Sequence, residues 1–478
     1  MLPPGPPLPA AVQTMLWITR PIAFMNACRR RYGDVFSIRF NGLGVRQKLV
    51  FIADPAGVRT VFSGDPDVLR AGSGNRPLAP LLGRRSVLLL DGAEHLRQRK
   101  LLLPPLHGER MKSYEPVMRG ITLDSAQRWP RQQAFALLPH MQSITLDVIL
   151  RTVFGFDDDV RRDDMRARLQ RMVRAGSGSA RLVAMAIAQV ELRGRSPWGR
   201  FMAAKRDVDE AILDQIRRRR ERAGSDSGDD VLSLLLEARD EQGEPMSDDE
   251  LRDELLTLLV AGHETTATSL AWAFDLLLHH PRVLERLVAE LDAGETRYLD
   301  ATIKETLRIR PVVPIVVRRL EQPFEVLGRT IPAGTAVAPC IYLTQRHPDV
   351  YEHPNRFVPD RFVDGAPDPY AWLPFGGGVR RCLGASFATF EMRVVLRTVL
   401  TAVTLRPASG TLEQVSRRAV TLVPRHGTKV VCVSRREAAI PPSSPRAPRS
   451  RRSAGPRERA ASTRSPDRER AAPRSRSR

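Results

Sequence analysis

The chain has 478 residues, 42% hydrophobic and 27% charged, with 75 Lys+Arg against 54 Asp+Glu and a formal charge of +21. That composition excludes disorder over the whole length and leaves room for one large core or a few smaller ones. Cysteines at 28, 340, 382 and 432 are too few and too scattered for a disulfide framework or a Cys-rich zinc site, and they fit a reducing compartment or one cysteine with a chemical role.

The N-terminus, MLPPGPPLPAAVQTMLWITRPIAFM, has an apolar run broken by Gln13, Arg20 and Pro21. It is too short to span a bilayer and lacks a basic start followed by a cleavage site, so no membrane anchor and a cytoplasmic location are expected. Branched and aromatic residues predict strands over Val35–Phe40 and Leu49–Ala53, followed by a loop rich in Gly, Ser, Arg and Pro over Arg70–Arg85. From Glu94 to Ala238 the pattern is mostly helical, with amphipathic stretches at Val117–Trp129 and Phe201–Arg222 and a linker at Gly224–Asp230. Ser247-Asp248-Asp249-Glu250 reads as a capping box that starts a long helix, ending near His280 before Pro281. Its apolar stretch Leu255–Leu278 holds His263, Glu264 and Thr265, which fits a buried core helix with a functional interruption better than a membrane span.

Further helices are predicted at Leu284–Leu291, Leu299–Ile309 and Leu383–Leu400, with short strands at Phe324–Leu327, Ala336–Ile341 and within Val420–Val433. The fold class is therefore mainly α with a minor β portion. A folded part over 1–435 is followed by a basic tail over 436–478. From Glu437 onward, 12 Arg face 4 acids among 7 Pro and 8 Ser, and Ile440 is the one large apolar residue. Such a segment cannot bury enough surface to offset its ordering entropy, so disorder is expected there. It has no aromatics to stack bases, and nucleic-acid binding is not expected.

The segment Phe375-Gly376-Gly377-Gly378-Val379-Arg380-Arg381-Cys382-Leu383-Gly384 is the most informative. Glycines let the backbone turn sharply and approach a flat partner. Cys382 stands at the expected start of a helix, where terminal N–H groups, Arg380 and Arg381 favour thiolate, a strong electron donor to iron. A buried core cysteine beside a glycine turn is the plainer alternative. A phosphate loop is a poorer one, because neither GxGxxG nor GxxxxGK[ST] spacing occurs.

The segment matches F-x-x-G-x-R-x-C-x-G and so resembles the haem-binding loop of the cytochrome P450 superfamily. The resemblance implies a cytochrome P450-like single large domain with haem b, Cys382 as axial iron ligand, Phe375 beside it and Arg380 on a propionate. Other signatures follow in order. Glu305-Thr306-Leu307-Arg308 puts Glu305 and Arg308 on one helix face, and Pro359-Asp360-Arg361-Phe362 stands between it and the cysteine. Read alone, ExxR is an ordinary surface ion pair; in the family, Glu305, Arg308 and Arg361 imply a buried network behind the haem.

Ala261-Gly262-His263-Glu264-Thr265-Thr266 resembles the family's A-G-x-[DE]-T-[TS] above the haem, which implies Thr265 and Glu264 as the alcohol and acid of a proton relay. A satisfied core hydrogen bond is the bland alternative for the threonine. His263 is expected to face away. His95 and Arg99 share a helix face and resemble the family's propionate-binding H-x-x-x-R; otherwise they are a solvated basic face. Arg318 takes a similar role by its distance from Pro311.

The implied reaction is monooxygenation of a lipophilic small molecule by O2. Electrons come from NAD(P)H indirectly, through a ferredoxin and its reductase. The implied pocket uses Val87 in the loop Leu78–Leu89, Val260 and Ala261 on the long helix, and Val313 and Pro314 in a strand Val312–Val317. Peroxygenase or oxidative-coupling chemistry on the same scaffold, and a non-catalytic haem protein, are the competing readings.

Overall fold

The computed structural model describes residues 2–42, 45–156, 158–176, 196–222, 228–365 and 368–436. Its spine is the 31-residue helix Asp248–Leu278, called the long helix below. Both halves of the capping box form: Ser247 Oγ accepts the Glu250 N–H at 3.3 Å and Glu250 Oε2 accepts the Ser247 N–H at 2.8 Å. From Thr266 to Leu278 every residue is buried, which is why the sequence there is largely apolar, with Thr266, Thr268, Ser269 and Asp275 as its polar residues. The helices Leu138–Thr152, Ala385–Ala402 and Arg297–Ile309 pack around it, and their apolar faces share one large core. Pro281 begins the next helix, Pro281–Asp292, at its first turn, where a missing N–H costs nothing. Among the described residues no helix is long and apolar enough to cross a membrane.

The β portion comprises β1 (Val35–Gly42), β2 (Val45–Ile52), β3 (Leu69–Arg70), β4 (Ala134–Ala136), β5 (Arg318–Leu320) and β6 (Phe324–Val326). It continues with β7 (Arg329–Ile331), β8 (Ala336–Pro339), β9 (Val403–Pro407), β10 (Val415–Arg418), β11 (Thr421–Pro424) and β12 (Lys429–Arg435). The largest sheet has the order β1-β2-β8-β5-β3, with β2 and β8 parallel and the other pairs antiparallel. A second sheet orders β4-β12-β9, and β10 and β11 form a separate hairpin.

Three local expectations are corrected. The span Arg70–Arg85 is not a plain loop: it holds the one-turn helices Ala71–Asn75 and Ala79–Leu82 joined by the 3₁₀ turn Arg76–Leu78, with Pro77 and Pro80 in first-turn positions of the latter two. Val312–Val317 is not a strand: the chain bends at Val312 and Val313 and is irregular from Pro314 to Val317. Its branched side chains suit one, yet the ladder with β8 begins only at Arg318. The strand beginning at Ala336 stops at Pro339, and Ile341 starts a one-turn helix. Most of the predicted linker at Gly224–Asp230, and the tail from Glu437, lie outside the described residues.

Candidate active site

The cysteine loop runs from Leu373 to the helix Ala385–Ala402 and is closed by its own backbone. The Cys382 N–H donates to the Phe375 carbonyl at 2.9 Å and the Gly376 N–H to Leu373 at 3.0 Å. Gly376 and Gly378 have φ of +68° and +63°. A Cβ at Gly378 would also strike the Phe62 carbonyl, so this glycine is needed both for its conformation and for its packing on the helix Pro55–Ser63. Phe375 packs edge-on against Trp372, with centroids 6.1 Å apart.

Cys382 is exposed on one side. Protein crowds its others, so burial is the largest influence on the thiol and pushes it up; the Gly384 N–H, Arg99 and Arg381 pull it back down. The expectation that Arg380 also acts on the thiol is corrected. Its guanidinium turns to Asp91 Oδ1 at 2.7 Å and to the Leu90 and Val87 carbonyls at 2.6 and 3.2 Å.

His95, Arg318, Arg380 and Arg99 form one electrostatic cluster. Burial, then Arg380 and Arg99, lower His95 to about 4, so its imidazole is neutral at pH 7. Burial and Arg380 lower Arg318 to about 10. Arg99 braces the cysteine loop by donating to the Arg381 carbonyl at 2.7 Å. Asp91 is the carboxylate of the cluster that sequence reasoning missed, and it also accepts the Gly72 and Ser73 N–H groups at 2.8 and 2.9 Å. It stands at the N-cap position of the helix Gly92–Leu102, yet its carboxylate makes no cap bond to that helix, so a cap reading would not have revealed this role. Arg318 is buried, and the acceptor of its guanidinium among the described residues is the Val317 carbonyl at 3.0 Å. A buried cation without a carboxylate is costly. The cluster is therefore short of negative charge and suited to an anionic ligand.

Behind the loop, Glu305 and Arg308 are fully buried and form a fork of two bonds, Nε to Oε2 at 2.6 Å and Nη2 to Oε1 at 2.8 Å. Arg361 Nε lies 3.5 Å from Glu305 Oε1, so the structure brings all three residues together. Gln345, absent from the sequence reading, links them to the cysteine loop. Its carbonyl accepts Arg308 Nη1 at 2.8 Å, and its Oε1 accepts the Leu373 N–H at 2.7 Å.

On the long helix, burial is interrupted: Val260 and Gly262 to Thr265 are part-exposed and Ala261 is exposed. The polar break is satisfied from the helix Leu138–Thr152. His263 Nε2 lies 3.0 Å from the Gln142 carbonyl, pointing away from any ligand role, and Thr145 Oγ1 donates to the His263 carbonyl at 3.0 Å. Thr265 Oγ1 donates to the Ala261 carbonyl at 2.6 Å. Glu264 is not hydrogen-bonded to Thr265: its carboxylate accepts from Gln142 Nε2 at 2.6 Å and Arg418 Nη1 at 2.9 Å. Both partners come from distant segments with no local sequence signal.

Of the expected pocket residues, Val260, Ala261 and Val313 are accessible, whereas Pro314 and Val87 are buried. The Val87 N–H is held by Glu254 Oε1 at 2.7 Å.

A family model described as Cytochrome P450 matches residues 3–431. The chain belongs to the cytochrome P450 family. Relatives include a Mycobacterium tuberculosis protein provisionally named cytochrome P450 135B1, 42% identical over 90% of this chain and 91% of its own length. Another, provisionally named cytochrome P450 137 from the same organism, is 39% identical over 90% of each chain. Among solved structures, the retinoic acid-bound cyanobacterial CYP120A1 superposes with a TM-score of 0.76 at 26% identity, covering 90% of this chain and 99% of that one. This P450 is thus an oxidoreductase of the monooxygenase type with haem b as its cofactor.

The residues present fit that group. An exposed cysteine on a glycine loop offers sulfur, and a buried cluster rich in cations offers partners for two propionate carboxylates.

Proposed function

We propose that this P450 inserts one oxygen atom of O2 into a lipophilic small molecule, using electrons that a ferredoxin and its reductase relay from NAD(P)H. Haem, when bound, supplies the dioxygen activation and the oxidising power. Cys382 would hold the iron and Phe375 would pack beside it. His95, Arg318 and Arg380 would hold the propionates, with Arg99 fastening the cysteine loop. Glu305, Arg308 and Arg361 would keep that loop in register through Gln345. Thr265 and Glu264 would handle protons on the substrate side.

The observation that carries the substrate class is the accessible break in the long helix. Apart from Thr265 and the sequestered His263 and Glu264, it presents Val260, Ala261 and Gly262, with Val313 and Ile315 part-exposed nearby in sequence to β5. The retinoic acid in CYP120A1, an apolar chain ending in a carboxylate, is in keeping with that.

The deciding measurement is the carbon monoxide difference spectrum of the reduced protein. A strongly red-shifted Soret band, lost in Cys382→Ala, is expected. Absence of haem from well-folded, haem-supplemented protein would sink the reading. For the partner, reduction by an acidic ferredoxin should slow with added salt and in Arg381→Glu; a salt-independent rate counts against it.

A further inference from the structure

We infer that Arg418 is a positioning residue: it latches the Glu264 carboxylate away from Thr265 and ties its release to the tip of the β10–β11 hairpin. The inference rests on the monooxygenase reading and adds a control over its acid.

Both oxygens of Glu264 are engaged from outside its own helix, Oε1 by Arg418 Nη1 at 2.9 Å and Oε2 by Gln142 Nε2 at 2.6 Å. Neighbouring residues point about 100° apart around a helix. Held in this way, Glu264 cannot pass a proton toward Thr265 until one contact opens. The backbone of Gln142 is held close to the long helix, since its carbonyl also meets His263 Nε2 at 3.0 Å. Arg418 is the contact that opens most easily. Its side chain is 56% exposed and that of Glu264 24%, and a water-screened pair that restrains a long side chain is weak.

The hairpin sets where Arg418 stands. Arg418 ends β10 and pairs with Thr421, whose hydroxyl donates to the Arg418 carbonyl at 2.8 Å. Only Ala419 and Val420 lie between. Ala419 has φ of +51°, a conformation costly for a residue with a Cβ, and Val420 is 53% exposed. The base of the tip is fixed, because Arg417 donates to the Trp17 carbonyl at 3.2 Å and stacks 4.7 Å over its ring. A strained tip with an exposed apolar residue thus joins directly to the side chain that holds the acid. A lipophilic molecule settling on Val420 shifts Arg418 and frees Glu264; without one, the acid stays held and dioxygen is not protonated idly.

The test uses full-length, haem-loaded protein with NADH, a surrogate ferredoxin and its reductase, and no added substrate. Hydrogen peroxide release is measured; each peroxide takes two electrons from one NADH and two protons, one from NADH and one from solvent. Arg418→Gln should raise release roughly two- to fivefold, Arg418→Lys should stay near wild type, and Arg418→Gln with Glu264→Gln should fall back to the level of Glu264→Gln alone. Melting followed by circular dichroism gives a readout free of turnover. Arg418→Gln and Glu264→Gln should each lower the midpoint by about 1 °C and the double variant no further. Either unchanged peroxide release in Arg418→Gln or additive melting shifts overturns the latch. If the wild-type carbon monoxide band is that of thiolate ligation, only the latch falls; if that band is missing, the monooxygenase reading falls first.

Discussion

Gln345 joins two segments that no helix or strand connects. Its amide donates to the Leu307 and Arg308 carbonyls at 3.1 and 2.9 Å and accepts the Leu373 N–H at 2.7 Å, all in a fully buried setting. Gln345→Leu keeps the volume and strands those groups. Urea unfolding should show a loss of about 3 kcal/mol, with weaker haem retention; a loss under about 1 kcal/mol would mean the loop is held by other contacts. Glu391 is the opposite case. It is fully buried on the helix Ala385–Ala402 and neither oxygen finds a partner among the described residues, and burial pushes its carboxyl well above the usual range. An acid with a raised folded pKa binds more protons folded than unfolded, so the protein is destabilised progressively as pH rises above the ordinary value of 4.5. Glu391→Gln should therefore melt only slightly above wild type at pH 5 and distinctly above it at pH 8. A gain independent of pH would show that the carboxyl does not titrate on unfolding.

At the scale of elements, local chemistry was legible and remote pairing was not. The capping box, the stop at Pro281, the shared face of Glu305 and Arg308 and the glycine turn before Cys382 each rest on residues within a few positions of one another. Asp91 beside Arg380, Gln142 and Arg418 on Glu264, and Gln345 under Leu373 pair residues far apart in the chain, where spacing carries no information. Val312–Val317 misled for a related reason: branched residues favour extension, but a strand also needs a ladder, and that segment has one bond to β8, from the Val316 N–H to the Pro339 carbonyl at 3.3 Å, before the β5–β8 ladder starts at Arg318. The cysteine loop gives a test of what a single element demands. Gly378 needs positive φ and zero side-chain volume against Phe62, whereas Gly384 has φ of −82° and no atom within 4 Å of a built Cβ. Gly378→Ala should cost about 2 kcal/mol and disturb the carbon monoxide band, while Gly384→Ala should stay within about 0.5 kcal/mol of wild type. Equal effects at the two positions would mean that the helix Pro55–Ser63 yields to the intruding methyl.

Over the whole molecule, the charge divides unevenly: 12 Arg and 4 acids follow Arg436, giving +8 of the total +21. The described body closes before them. The Arg436 N–H donates to the Ala402 carbonyl at 2.8 Å, and its guanidinium lies 3.6 Å from Asp292. All the site residues discussed above fall inside that body. A protein ending at Arg436 should therefore melt within about 1 °C of the full chain and give the same carbon monoxide band. What it should lose is attraction to anionic surfaces. Retention on anionic vesicles should weaken, and its fall with added salt should become shallower, because fewer cations displace counterions on binding. A lower melting point or a lost band would place part of the folded domain beyond Arg436. Unchanged retention would instead assign the basic character to the body, which keeps +13 without the last 42 residues.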